Sequence, residues 1–138
     1  MPPRDGFASE LRHAVLDLHK VLMDAQRIRY ERLHGRISTS GEFLGIVLEH
    51  PQFAWLRALS SLIARLDEWI DEEKSEPEEL TALVAALQAL VEPDGGHAVF
   101  SHAYWGIVND VPDATIAHVK LWRLLESARP VGGAPAAG

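Results

Sequence analysis

From Phe53 to Ile70 the chain reads FAWLRALSSLIARLDEWI. At about 100° per residue, Trp55, Leu56, Leu59, Leu62, Ile63, Leu66, Trp69 and Ile70 gather on one side of a helix. Arg57, Ser61, Arg65, Glu68 and Glu72 fall on the other side. Pro51 suits a first helical turn, where the amide hydrogen it lacks would have no intrahelical acceptor. The pattern predicts one long helix from Pro51 to about Lys74. An equally long pattern precedes it. Leu11, Val15, Leu18, Leu22 and Ala25 form a row, widened by Ala14, Val21 and Ile28 on one flank and by Leu16, Met23 and Tyr30 on the other. With Ser9 as N-cap and Gly35 as a left-handed stop, the row predicts a helix from Glu10 to His34. Both helices would span ~36–38 Å, and the match predicts that they pack antiparallel as the frame of a bundle.

Shorter patterns fill the rest. EFLGIVLEH predicts a helix over Glu42–His50, with Phe43, Leu44, Val47 and Leu48 available for burial. Ser75 and Glu78 stand in capping-box spacing ahead of a helix over Pro77–Val91. That helix turns Leu80, Leu83, Val84, Leu87 and Leu90 inward and carries an alanine flank of Ala82, Ala85, Ala86 and Ala89. After the turn EPDGG, His97–Asn109 is apolar enough for a helix, and Asp110 with Pro112 predicts a last one ending near Ala128. No stretch alternates as a strand would. The reading is all-α: a single domain over 9–128, a bundle of five to six helices. Residues 1–8 read as a flexible arm and 129–138 as a tail with too little apolar surface to order itself.

Composition narrows the function classes. A net charge of −7 opposes phosphate backbones, so nucleic acid is not an expected partner. The chain has no cysteine, which removes disulfides, zinc thiolates and thiol catalysis. No run approaches the ~20 apolar residues of a membrane span, and the start lacks a secretory signal. The expectation is a cytoplasmic protein without a membrane partner. The segments LHKVLMDAQRIRYERLHG, PQFAWLRALSSLIARLDE and VPDATIAHVKL resemble a group of small, all-helical bacterial proteins. The resemblance implies a bacterial helical protein and carries no activity, cofactor or site residue with it.

Candidate chemistry is sparse. His13, Asp17, Lys20, Asp24, Arg27, Glu31 and His34 make a polar stripe that reads as a solvated ion-pair ladder. Glu10-x-x-His13 and Glu31-x-x-His34 have the spacing of di-iron ligands, but both copies lie on one helix, ~30 Å apart. No metal and no cofactor is therefore expected. More informative is Arg29, in line with the buried row, with Gln26 and Tyr30 beside it and His19 further back. A buried guanidinium needs a carboxylate, and Asp67 on the Pro51–Lys74 helix is the expected partner, with Glu49 the other candidate. His19, Gln26, Arg29, Tyr30 and Asp67 thus make either a structural network or a pocket for a small anionic ligand. A weaker cofactor reading has His118, with His97 or His102, as axial ligands to a haem among Phe100, Trp105 and Trp122.

No phosphate loop, nucleophile elbow or zinc-protease motif occurs. The reading is a non-enzymatic helical protein that acts through protein contacts and self-associates as a homodimer. The apolar arc of Leu16, Met23 and Tyr30 and the alanine flank are its expected surfaces. The alternative is a binder of a small anionic ligand or cofactor in a bundle cavity.

Overall fold

A computed structural model describes residues 3–72 and 76–128, the side chains of residues 3–5 excepted. They form α1 (Pro3–His34), α2 (Ser40–Glu49), α3 (Pro51–Ala54), α4 (Arg57–Asp71), α5 (Pro77–Val91), α6 (Ala98–Asp110) and α7 (Pro112–Ser127). The all-α reading holds, with seven helices in place of five or six. The expected tail over 129–138, the Lys74 terminus and the Ser75 half of the capping box lie outside the described residues.

Helix α1 starts at Pro3, so Ser9 lies inside it and residues 3–8 are not a separate arm. The reason is visible in the row: buried Ala8 stands three residues before Leu11 and continues the alternating steps of three and four through Leu11, Val15, Leu18 and Leu22. The helix ends where expected. Gly35 takes φ 93°, and its amide donates to the Glu31 carbonyl at 2.9 Å.

The expected Pro51–Lys74 helix is broken into α3 and α4. Phe53, Leu56 and Leu59 are all buried, and they succeed one another at steps of three. A regular α-helix would swing such residues off a common line, whereas a tighter turn of about three residues eclipses them. The chain tightens there: the Leu56 amide donates to the Phe53 carbonyl, three residues back, at 3.2 Å. Beyond the break Leu59, Leu62, Ile63, Leu66 and Trp69 are buried as the pattern requires, while Trp55 is half-buried and Ile70 exposed.

Cross-helix pairs fix the directions. Arg12 meets Asp67, His19 meets Ser60, Gln26 meets Trp55 and His34 meets Gln52, so α1 runs antiparallel to α3 and α4. Helix α5 turns back along α4 after Trp69 Nε1 donates to the Glu76 carbonyl at 2.8 Å. Gln88 ties α5 to the Leu125 carbonyl of α7, and α7 packs along α1. The four helices α1, α4, α5 and α7 thus enclose the core, with Leu18, Leu22, Leu59, Leu66, Leu87 and Leu121 fully buried between them. Helix α6 folds back on α7. Asp110 does not cap α7; it ends α6, and Val111 precedes Pro112 without a side-chain cap.

One glycine is required by close approach. At Gly95, in the turn after α5, a Cβ would lie 1.7 Å from the Ala89 carbonyl oxygen.

Candidate functional site

The residues expected to share one pocket each have a different partner. Asp67 pairs with Arg12, not with Arg29. Arg29 reaches the last turn of α6, where its Nη2 donates to Asp110 Oδ2 at 3.2 Å and to the Gly106 carbonyl at 3.4 Å. Its side chain is 37% exposed and that of Asp110 73%, so the guanidinium is not buried. Its backbone sits beside the buried row, but its stem is long enough to carry the charge into water. Glu49 is exposed and takes no part.

Gln26 is the buried polar side chain of the core, 7% exposed, and its Oε1 accepts the indole hydrogen of Trp55 at 3.0 Å. His19 Nε2 lies 2.9 Å from Ser60 Oγ, whose own proton goes to the Leu56 carbonyl. The imidazole is therefore the donor of that pair, and burial lowers its pKa. The Tyr30 ring lies tilted against His34 at 4.5 Å and meets the His50 ring edge-on at 5.0 Å. His50 in turn accepts the Gln52 amide on Nδ1 and caps α3. These are joints between α1 and the segments that cross it, not the lining of one cavity.

The three expected haem-side histidines do not converge either. His97 and His102 are exposed on and just before α6, and neither makes a ring contact with His118 among the described residues. His118 belongs to an aromatic stack inside the α6–α7 hairpin. Its Nδ1 lies 2.7 Å from the hydroxyl of fully buried Tyr104, which has no other acceptor among the described residues and so donates to it, and Trp105 stands edge-on to its ring at 4.7 Å. Burial lowers the His118 pKa and raises that of Tyr104, because each loses hydration of its charged form. The Trp105 indole nitrogen is enclosed without a hydrogen-bond partner. Among the described residues no three histidine, aspartate or glutamate side chains are grouped as a metal site would need. No helix among them is long and apolar enough to cross a membrane.

The arc of Leu16, Met23 and Tyr30 is half-buried against the core, and Ala82 and Ala85 of the alanine flank on α5 are exposed. Helix α2 leaves larger apolar side chains uncovered. It is strongly apolar, yet it buries no residue fully. At about 100° per residue, Phe43, Ile46 and Val47 span one side and Gly41, Leu44, Gly45 and Leu48 the opposite side. The first side packs on the core, with Phe43 edge-on to Phe53 at 5.9 Å and under the Arg27 guanidinium at 4.7 Å. On the second side Leu44 is 58% and Leu48 62% exposed. Nothing lies within 4 Å of where a Cβ would stand on Gly41 or Gly45, so the strip beside the leucines is open. From sequence, SGEFLGIVLE reads as a helix to be buried; only its tertiary seat shows that one side is left over. Comparison with known proteins adds no relative: no protein family, no characterised protein and no solved structure matches the chain.

Proposed function

We propose that the chain is a non-enzymatic helical-bundle protein that acts through protein contacts, and that it pairs with a second copy through the outer side of α2. The observation that carries this is the exposure of Leu44 and Leu48 beside open glycines on a helix whose other side already holds the core. Such a surface is self-complementary. Across a two-fold axis, the leucines of one α2 rest over Gly41 and Gly45 of the other, and each copy supplies both the ridge and the hollow. Glycines bring the two backbones close, and burial of the leucines contributes ~25 cal/mol per Å² of apolar surface removed from water. The dispersal of His19, Gln26, Arg29, Tyr30 and Asp67 among separate partners favours contact over ligand binding.

The absence of native cysteine makes the test direct. A Gly45→Cys variant places one thiol near the two-fold axis, where Cα atoms of paired copies come within the ~4.4–6.8 Å that a disulfide spans. Mild oxidation is expected to give a covalent dimer at micromolar protein, with a control cysteine at exposed Ser61 remaining monomeric. Equal and slow cross-linking at both positions would contradict the pairing.

A further inference from the structure

A second surface has different chemistry. Between α1 and α7 runs a groove of about 470 Å³, which continues past Ala14, Asp17 and Lys120 into a hollow of about 210 Å³. Its floor is made of small residues, Ala14 and Ala117. Along the groove the α1 wall carries Glu10, His13 and Asp17 and the α7 wall carries Lys120 and Arg123, whereas in the hollow the α7 side adds Asp113. Glu10, Asp17, Lys120 and Arg123 close no salt bridge among the described residues, so along the groove the two walls face outward with opposite charge. Ile116, 59% exposed, borders the hollow on α7.

We propose that this face binds a second copy of the chain about a two-fold axis parallel to α1 and α7. A half-turn about that axis exchanges left and right but preserves height along the bundle. The acidic wall of one copy then meets the basic wall of the other, and the reverse contact forms at the same time. A two-fold axis across the helices would instead set acid on acid. The charge pattern therefore selects one arrangement and one occupant. The net charge of −7 does not prevent it, because repulsion between charges beyond ~8 Å is largely screened at physiological salt, whereas the facing pairs are in contact.

This face lies along the first half of α1, whereas α2 packs near Arg27 in the second half. The inference is thus independent of the α2 pairing and goes beyond it. Two distinct two-fold faces on one chain link copies past a pair, into a closed tetramer or an open row.

The test is a charge-swap series in a Leu44→Ser/Leu48→Ser background, which removes pairing through α2. One variant adds Lys120→Glu and Arg123→Glu, making both walls acidic; another adds Glu10→Lys and Asp17→Lys, making both basic. Circular dichroism confirms that each is folded, as expected for exposed helical positions. In sedimentation velocity the background protein is expected to dimerise, each charge variant alone to weaken dimerisation at least about tenfold, and an equal mixture to restore it. A monomeric background, a charge variant that still dimerises, or a mixture that stays monomeric would each overturn the proposal. The α2 reading fails separately, if the wild type and the Leu44→Ser/Leu48→Ser protein sediment alike.

Discussion

At single residues, buried polar groups decide the cost of substitution. Gln26 holds the Trp55 indole at the point where the chain tightens between α3 and α4. Gln26→Leu would leave that half-buried N–H without its acceptor, and loss of such a hydrogen bond costs ~0.5–1.5 kcal/mol. Urea unfolding of the variant is expected to show a loss in that range. Arg29 is the contrary case. Paired with Asp110 in partly exposed surroundings, it contributes ~0–1 kcal/mol, and Arg29→Met is expected to shift the urea midpoint little. No coupling with Asp67 is expected, because Asp67 belongs to Arg12. The sequence set Arg29 in line with the buried row and so pointed to a buried guanidinium, whereas its side chain is 37% exposed. It could not show how far the stem would carry the charge, nor that the end of α6 would be there to receive it. The histidines set the pH response. Burial lowers the pKa of both His19 and His118, so folding favours their neutral forms. Their contribution is complete above the ordinary value near 6.5 and is lost as pH falls below it through the folded-state values. Stability should therefore decline on acidification below ~6.5. His118→Gln, which keeps an acceptor for Tyr104 but does not titrate, should flatten part of that decline.

At the scale of elements, what was legible followed from periodicity. The inner row of α1 and the buried leucines of α5 are where their spacing puts them, because regular helices preserve a 3.6-residue repeat. The same rule failed at Phe53, Leu56 and Leu59, where steps of three are compatible with a long helix on paper but bury together only if the turn tightens. It failed again at residues 3–8, where Pro3 and Gly6 suggested a loose arm and buried Ala8 shows the helix already under way. Turns offer the sharper tests. Gly35→Ala forces a Cβ into a left-handed residue and should cost ~1–2 kcal/mol. Gly95→Ala must push a Cβ away from the Ala89 carbonyl, so the turn itself has to move, and a loss of ~1–3 kcal/mol is expected. Thermal unfolding of the two variants separates these from neutral surface changes.

For the whole molecule, the closed ring of α1, α4, α5 and α7 accounts for most of the apolar sequence and leaves α2 over. That surplus was not visible in the sequence, since an apolar helix reads the same whether one side or both are covered. Pairing through α2 gives the uncovered side a partner without asking anything of the core. It follows that Leu44→Ser/Leu48→Ser should weaken self-association while leaving helical content and the urea midpoint of the monomer nearly unchanged. Sedimentation equilibrium of the wild type and this double variant, over a range of micromolar concentrations, tests the claim most directly. The wild type should show concentration-dependent mass above that of a single chain, and the double variant should show less mass at every concentration. A wild type that stays at the mass of one chain throughout, or a double variant indistinguishable from it, would contradict the account.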